Sequence, residues 1–174
     1  MRLLIVRHAD AGDAEEFAKT GQADYLRPLS KKGHKQMNAG ARGLLELVPS
    51  CDLIVSSPFT RAAETAEHLR VAYERDAVET TSALEPTADP AHFELWMREH
   101  AKADGNVDVA IAVGHEPHLS ELTTWLVSGR DGSSVELKKG GACLLVFDGP
   151  VRKASAVLRW LMGPKELAAV GKDA

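Results

Sequence analysis

The chain has 174 residues, of which 44% are hydrophobic and 26% charged, and its formal net charge is −4. This length and composition predict one globular domain over residues 1–174. The small negative charge, with no dense cluster of Lys and Arg, argues against a nucleic-acid partner. No apolar run is long enough for a signal-peptide core or a membrane span, so we expect a cytoplasmic protein without membrane partners.

Short aliphatic and β-branched runs alternate along the chain with segments of helical period. They predict strands over residues 3–6, 52–57, 78–84, 107–114, 142–148 and 154–161. The helical segments cover residues 30–48, 60–73, 90–103 and 117–127. This alternation predicts an α/β fold, a three-layer αβα sandwich with a mixed, mostly parallel sheet of about six strands and helices on both faces.

Three connections add detail to this fold. The last two strands are joined by "GPVRK", which is too short for a crossover helix, so they should form an antiparallel hairpin at one edge. Residues 9–29 form an unusually long connection, and we interpret it as a flap over the end of the first strand. The tail "GPKELAAVGKDA" has room for one helical turn before it frays.

Cys51 and Cys143 lie far apart in the sequence. Their spacing fits neither a disulfide framework nor a metal site, so we expect two buried thiols in a reducing compartment.

Polar residues follow three of the predicted strands, where ligands bind in sheets of this kind. The first strand ends at Arg7 and His8, the second leads into "SSPFTR" with Arg61, and the strand over 107–114 leads to His115. Pro58 is predicted at the first helical position after Ser57 as N-cap, and Pro117 opens a second helix. Both helices would direct the positive ends of their dipoles at one place.

These residues fit the chemistry of phosphoryl transfer. Two arginines match the geometry of a phosphate group, and a neutral imidazole at His8 could attack phosphorus. A protonated His115 opposite would stabilise the equatorial oxygens of the transition state. Taken singly, Arg7 and His8 could be surface residues and His115 a helix cap, so it is their joint occurrence at three strand ends that indicates a site.

Four ordered motifs, "VRHADAG", "RPLS" followed by Gly33, "SSPFTRAAETA" and "GHEP", resemble those of the histidine phosphatase superfamily, the phosphoglycerate-mutase-like group. The family signature is Arg-His-Gly after the first strand, whereas this chain has Arg7-His8-Ala9. The "RHA" variant, "RPLS" and the ending "LRWLMGPKEL" look most like the SixA-type phosphohistidine phosphatases. The resemblance covers nearly the whole chain and implies the phosphoglycerate-mutase-like fold.

The resemblance also implies a role for individual residues. His8 would be the nucleophile that becomes a phosphohistidine, Arg7 and Arg61 would bind the phosphate, and His115 would be the second histidine of the pocket. Arg27, in "RPLS", corresponds to an additional arginine that faces the phosphate in SixA-type proteins, although an Arg before Pro could equally lie at the surface.

The general acid is open at the level of sequence. Glu85, with Asp89 nearby, occupies a place similar to that of the acid in the larger family, from which SixA-type proteins depart here. If Glu85 is instead a solvated loop residue, a phosphoramidate substrate is favoured, because its nitrogen leaving group can be protonated before cleavage and needs less help from an acid.

The sequence therefore predicts a phosphatase that needs no metal or other cofactor. Its partner would be a phosphotransfer protein that carries phosphohistidine, or alternatively a small phosphorylated metabolite. A phosphate-binding sensor that has lost turnover is a further alternative, supported by Ala9 and the uncertain acid. A mutase is less expected because mutases carry larger insertions, and no Gly-rich fingerprint supports a nucleotide-binding domain. The oligomeric state stays open.

The remaining histidines lie on predicted helices and are interpreted as exposed or partly packed residues without a functional role. They are His34, His68, His92, His100 and His118.

Overall fold

The computed structural model describes residues 1–103 and 107–172. The strands in this part of the chain are β1 (Arg2–Arg7), β2 (Leu53–Ser56), β3 (Glu79–Thr80), β4 (Val109–Gly114), β5 (Ala142–Phe147) and β6 (Ala156–Met162). The helices are α1 (Ala14–Ala18), α2 (Lys31–Leu47), α3 (Thr60–Ala72), α4 (Pro90–Ala103), α5 (His118–Ser128) and α6 (Pro164–Val170). Short 3₁₀ turns cover Asp24–Leu26 and Ser82–Leu84.

The strands form one mixed sheet in the order β3-β2-β4-β1-β5-β6. The first four in this order are parallel, and β5 runs antiparallel to both β1 and β6. The expected hairpin of the last two strands at one edge is confirmed. Because β1 and β4 lie at the centre of the sheet, the residues that follow them meet in the middle of its carboxyl edge.

The core has two halves, one on each face of the sheet. Leu4 and Val6 of β1 point into the half covered by α2, α3 and α6, whereas Leu3 and Ile5 point into the half covered by α4 and α5. All four are fully buried, as the alternation of a strand buried on both faces requires. This arrangement confirms the three-layer αβα sandwich.

The structure differs from the predicted elements in three segments. Only Glu79–Thr80 of the predicted strand over residues 78–84 pairs with β2. The residues that follow form a 3₁₀ helix, which the Thr81 hydroxyl caps at its N-terminus. The connection over residues 9–29 holds α1 and a 3₁₀ turn. The tail forms the seven-residue α6, which packs on α2 and is longer than the single turn expected. Residues 173–174 of the tail lie outside the described residues.

The two cysteines agree with the prediction, since both thiols are free and buried. Burial raises the pKa of Cys51 to about 11 and that of Cys143 to about 12. Both side chains therefore stay protonated and unreactive at neutral pH. No helix in residues 1–103 and 107–172 is long and apolar enough to cross a membrane.

Candidate active site

The hydrogen-bond ladder of the sheet brings three functional side chains to one edge. Arg7 pairs in register with Gly114, and the backbone N–H of His8 continues the ladder by donating to the Gly114 carbonyl at 3.0 Å. On the other side of β4, the N–H of Ser57 donates to Val113 at 2.9 Å. His8, Ser57 and the residue after Gly114 are therefore neighbours at the carboxyl end of the sheet.

His8 is a buried, neutral imidazole. Its Nδ1 lies 2.7 Å from the carbonyl oxygen of Ala9, which can only accept, so Nδ1 carries the proton. Its Nε2 then holds the free lone pair, to which Nε of Arg61 donates at 3.3 Å. Burial, with the charges of Arg61, Arg7 and Lys139, lowers the pKa of His8 to about 3. The site thus presents Nε2 with an unprotonated lone pair.

Ala9 replaces the glycine of the family signature without strain. Among the described residues, the non-glycine positions with positive φ are Glu74 and Ala154, so the backbone at residue 9 suits an alanine. Its N–H donates to the hydroxyl of Thr65 at 3.1 Å, and its side chain is fully buried.

His115 faces His8 with the two ring centroids 5.0 Å apart. Its Nε2 is hydrogen-bonded to the hydroxyl of Ser57 at 2.9 Å, and its buried Nδ1 has no partner among the described residues. Burial, with the nearby His8 and the charge of Arg61, lowers the pKa of His115 to about 2. In the free protein His115 is therefore neutral, because the pocket is buried and already holds cations, whereas its predicted protonation concerns the transition state.

Arg7 lies beside this pair with a donor left unused. Its Nη1 donates to the carbonyl of Leu137 at 2.6 Å, whereas its buried Nε has no partner in residues 1–103 and 107–172. Burial lowers the pKa of Arg7, an effect that Glu116 and Glu136 partly offset. A buried guanidinium N–H without an acceptor is costly, so the site favours an anion.

Arg61 enters from the first turn of α3, as predicted, but the helix begins differently. It starts at Thr60 with Phe59 at the N-cap position, and not at Pro58. The hydroxyl of Ser57, the expected cap, is instead hydrogen-bonded to His115 and only weakly approached by the N–H of Phe59 at 3.4 Å. Similarly, α5 begins at His118 with Pro117 at its N-cap position, one residue later than expected.

The segment over residues 9–29 covers this site, as its interpretation as a flap predicts. Within it, Asp24 accepts from Nη1 of Arg61 through its backbone oxygen at 3.0 Å and its carboxylate at 3.1 Å. The ring of Tyr25 meets Phe59 edge-on at 6.2 Å, and Phe59 in turn lies 5.0 Å from His115 and 5.0 Å from the Arg61 guanidinium carbon. His8, Arg61 and His115 are each at most 6% exposed under this cover.

Arg27 belongs to the same segment and is buried, and its hydrogen bonds go to other residues of that segment. Its Nε donates to the Asp24 carboxylate at 2.8 Å, and its Nη1 donates to the carbonyls of Ala11 and Gly12 at 3.0 and 3.3 Å. Arg27 therefore reaches the site through Asp24, as a neighbour of Arg61.

The two candidate acids do not contact the histidines. The side chain of Glu85 is half-buried and makes no hydrogen bond or ion pair within the described residues, although the preceding residue, Leu84, packs its carbonyl against Gly114. The exposed Asp89 accepts from the N–H of Ala91 at the start of α4. Glu85 therefore lies next to the edge of the site, whereas the carboxylate of Asp89 is occupied by a hydrogen bond at the start of α4.

The other histidines vary in their surroundings. His118 is completely buried and its Nδ1 donates to the Ala88 carbonyl at 2.9 Å, so the expectation of an exposed or partly packed residue is wrong there. His34 of α2 and His68 of α3 are hydrogen-bonded to each other at 3.0 Å. Within residues 1–103 and 107–172, no three His, Cys, Asp or Glu side chains are grouped so that they could hold a metal ion.

Sequence similarity identifies the family. Residues 3–87 match the sequence profile of the histidine phosphatase superfamily (branch 1). An uncharacterized protein of Picosynechococcus sp. (strain PCC 7002) is 32% identical over 142 residues, which is 81% of this chain and 82% of that protein. The chain belongs to the histidine phosphatase superfamily. It is accordingly a phosphatase, as the motifs predict. An uncharacterized protein of Mycobacterium tuberculosis is 30% identical over 67% of this chain and 70% of its own length.

Solved structures of several phosphatases share the fold. The protein histidine phosphatase SixA, complexed with tungstate, superposes with a TM-score of 0.80 at 22% identity, over 96% of this chain and 99% of SixA. A mycobacterial glucosyl-3-phosphoglycerate phosphatase superposes with a TM-score of 0.68 at 17% identity, over 93% and 99% of the two chains. A phosphoserine phosphatase from Entamoeba histolytica gives 0.67 at 15% identity, over 95% and 98%. The expected phosphoglycerate-mutase-like, SixA-type fold is confirmed.

Three contributors to the site were missed in the sequence. Phe59 covers His115, Ser57 bonds to its ring instead of capping a helix, and Asp24 binds Arg61. A signal existed for Asp24, because an acidic residue three positions before Arg27 suits a side-chain pair within one turn. The contact between Ser57 and His115 spans 58 residues of sequence and had no local signal.

Proposed function

We propose that this histidine phosphatase hydrolyses phosphohistidine on a phosphotransfer protein, through a phosphoenzyme formed on His8. The observation that carries the proposal is the state of His8. It is neutral, its Nδ1 proton is held by the Ala9 carbonyl, and its Nε2 lone pair lies between cationic side chains. This is the arrangement that nucleophilic attack on a phosphoryl group requires.

In the first step, the Nε2 lone pair of His8 forms a bond to phosphorus while the bond from phosphorus to the leaving group breaks. The leaving imidazole takes up its proton from solvent before cleavage and departs as a neutral ring. Arg61 and Arg7 balance the charge on the phosphoryl oxygens. Arg61 donates from the edge of its guanidinium that carries Nε, and Arg7 donates from its unpartnered Nε. The proton stays on Nδ1 of His8, and its hydrogen bond to the Ala9 carbonyl stabilises the positive charge that develops on the ring.

In the second step, water forms a bond to phosphorus and the bond to Nε2 of His8 breaks, which releases inorganic phosphate and restores the neutral imidazole. His115, whose ring faces that of His8, supplies a hydrogen-bond donor in this step. The negative charge of a bound phosphoryl group opposes the cationic surroundings that lower its pKa, so substrate binding favours protonation of its ring. Its unpartnered Nδ1 is then available to an oxygen of the transition state.

The position of the carboxylates supports the proposed substrate class. Within residues 1–103 and 107–172 no carboxyl group is hydrogen-bonded to His8 or His115. The carboxylate of Asp24 is bound to Arg27 and Arg61. A phosphoramidate can be cleaved without a strong acid, since its nitrogen leaving group accepts a proton readily. This favours phosphohistidine, as does the similarity in fold to SixA.

A small phosphomonoester is the second candidate. Two proteins of similar fold are named for small phosphorylated substrates, and the half-buried Glu85 next to the site edge has no partner among the described residues that would keep it from acting as acid. In that case Glu85 would protonate an alkoxide leaving group, and its removal would abolish turnover of the ester.

The test is a comparison of substrates without added metal. Purified protein is incubated with a phosphohistidine-bearing phosphotransfer domain and with a panel of phosphomonoesters that includes phosphoserine, alongside the His8→Ala and Glu85→Gln variants. The proposal predicts hydrolysis of phosphohistidine that is lost with His8→Ala and retained with Glu85→Gln. Preferred turnover of an ester that Glu85→Gln abolishes would establish the second candidate. Oxyanion binding without any turnover would indicate a sensor.

A further inference from the structure

The flap contributes one carboxylate to the site, and that carboxylate connects two arginines. One oxygen of Asp24 accepts from Nε of Arg27 at 2.8 Å, and the other lies 3.1 Å from Nη1 of Arg61. The backbone oxygen of Asp24 accepts from the same Nη1 at 3.0 Å. Nη1 of Arg61 is therefore held from two sides by a single residue.

These contacts with Asp24 determine which edge of the Arg61 guanidinium faces His8. The group is planar and carries its donors in a fixed fork, with Nε and Nη2 along one edge. Nε points at Nε2 of His8, and no partner for Nη2 is found among the described residues. While Asp24 holds Nη1, the edge formed by Nε and Nη2 is left facing His8, ready for bidentate contact with a phosphoryl group.

Asp24 is itself held in place by the flap. Arg27 is buried and anchored to the carbonyls of Ala11 and Gly12, and the 3₁₀ turn that carries Asp24 rests on Phe59 through the ring of Tyr25. Although partial burial acts in the opposite direction, the hydrogen bonds and charges of Arg27 and Arg61 keep the pKa of Asp24 below its usual range. The carboxylate is therefore ionised at neutral pH and is a poor proton donor.

We infer that Asp24 is a positioning residue, which orients Arg61 so that its Nε and Nη2 edge receives the phosphoryl group, and that Arg27 supports this orientation from behind. The inference rests on the proposed function and adds the flap to the catalytic machinery. The flap thus contributes a positioning residue to the phosphate site as well as covering it. Arg27 acts on the site by holding the Asp24 carboxylate.

The test measures kcat and KM of Asp24→Asn, Asp24→Ala and Asp24→Glu on the substrate that the wild-type protein hydrolyses, with orthovanadate inhibition measured in parallel. Loss of the charged hydrogen bonds is expected to lower kcat/KM about ten- to a hundredfold in the first two variants, mainly through kcat, and to weaken vanadate inhibition. Asp24→Glu is expected to restore part of the activity. Asp13→Asn, which changes an exposed carboxylate at the start of α1 in the same flap, is the matched control and should match the wild type.

A double-mutant cycle separates an effect through Arg61 from a general effect on the fold. In an Arg61→Lys background, Asp24→Asn should lower kcat/KM less than about threefold, because the fork that Asp24 orients is already absent. Thermal melting of each variant checks the fold. Equal activity of wild type and Asp24→Asn, a gain of activity on removing Asp24, or fully additive losses would each overturn the inference. An inactive wild-type protein would instead count against the proposed function.

Discussion

Nε of Arg61 donates to Nε2 of His8 across 3.3 Å, so the cation proposed to bind phosphate touches the lone pair proposed to attack phosphorus. A bound substrate must therefore displace this hydrogen bond. The N–H of Arg61 that had donated to His8 then donates to a phosphoryl oxygen. Because the arginine donates to Nε2, the contact also disfavours protonation of that nitrogen. The free protein thus keeps His8 in the form that the proposed attack requires, through the same side chain that the proposal assigns to substrate binding.

The tautomer of His8 can be observed directly. We expect the ring nitrogens of His8 to show the Nδ1–H form in ¹H–¹⁵N correlation spectra between pH 5 and 8, because burial and neighbouring cations lower its pKa to about 3. The His8→Gln variant assigns the signal. A midpoint near pH 6.5 for that signal would contradict the buried, neutral state on which the proposed attack depends.

The stability of the protein should fall in mild acid because of the same residue. In the unfolded chain His8 binds a proton below about pH 6.5, whereas in the fold it stays neutral down to about pH 3, so acidification within this window favours unfolding. By pH 5 this difference costs roughly 2 kcal/mol of the free energy of unfolding.

Urea unfolding at pH 8 and pH 5 checks this expectation. His8→Gln should lose less stability than the wild type over that interval, while the same exchange at His92, which is exposed on α4, should leave the loss unchanged. Equal losses in wild type and His8→Gln would show that His8 is not the residue responsible.

Arg61→Lys should be strongly impaired although it keeps the charge. A lysine cannot donate to a phosphoryl group, to Asp24 and to the His8 side of the pocket in one plane, so we expect kcat/KM to fall by about a hundredfold or more. The matched control is Arg70→Lys, which changes a partly exposed arginine of the same helix that pairs with Glu67. Steady-state kinetics with the hydrolysed substrate decide the matter, and near-normal activity of Arg61→Lys would show that a point charge is sufficient.

Two glycines of α2 should respond in opposite directions to the same substitution. A Cβ on Gly33 would lie 2.1 Å from the backbone oxygen of Asp10, so Gly33→Ala should destabilise the protein by about 1–3 kcal/mol and disturb the start of the flap. A Cβ on Gly40 meets nothing within 4 Å, so Gly40→Ala should stabilise the helix by up to about 1 kcal/mol. Chemical denaturation measures both, and a neutral Gly33→Ala would mean that this backbone contact can relax.

Periodicity and strand-end chemistry were sufficient to predict the layers of the fold and the meeting of Arg7, His8, Arg61 and His115. Both follow from local pattern, because parallel strands bring their carboxyl ends to a common edge. The short β3 was overestimated because its apolar residues after Thr80 pack as a 3₁₀ turn. Propensity alone cannot distinguish these outcomes.

The charge state of the histidines and the contacts of the flap could not be derived from the sequence. The pKa of His115 depends on how deeply its ring is buried and on which cations surround it, and both are properties of the assembled fold. The contacts of Asp24 likewise depend on where residues 9–29 come to rest. For Arg27, the motif indicated proximity to the phosphate site, but the direction of its donors became visible only in three dimensions.

The group that fixes the reactive form of His8 is a main-chain carbonyl, and this has a consequence for how such enzymes vary and are recognised. Since every amino acid supplies that oxygen, mutation at residue 9 can alter packing yet cannot delete the acceptor. The requirement at the third place of the triplet is therefore one of size and backbone conformation, which Ala9 meets. A sequence pattern that insists on glycine there would discard this chain, whereas a pattern built on the two preceding residues with Arg61 and His115 would retain it.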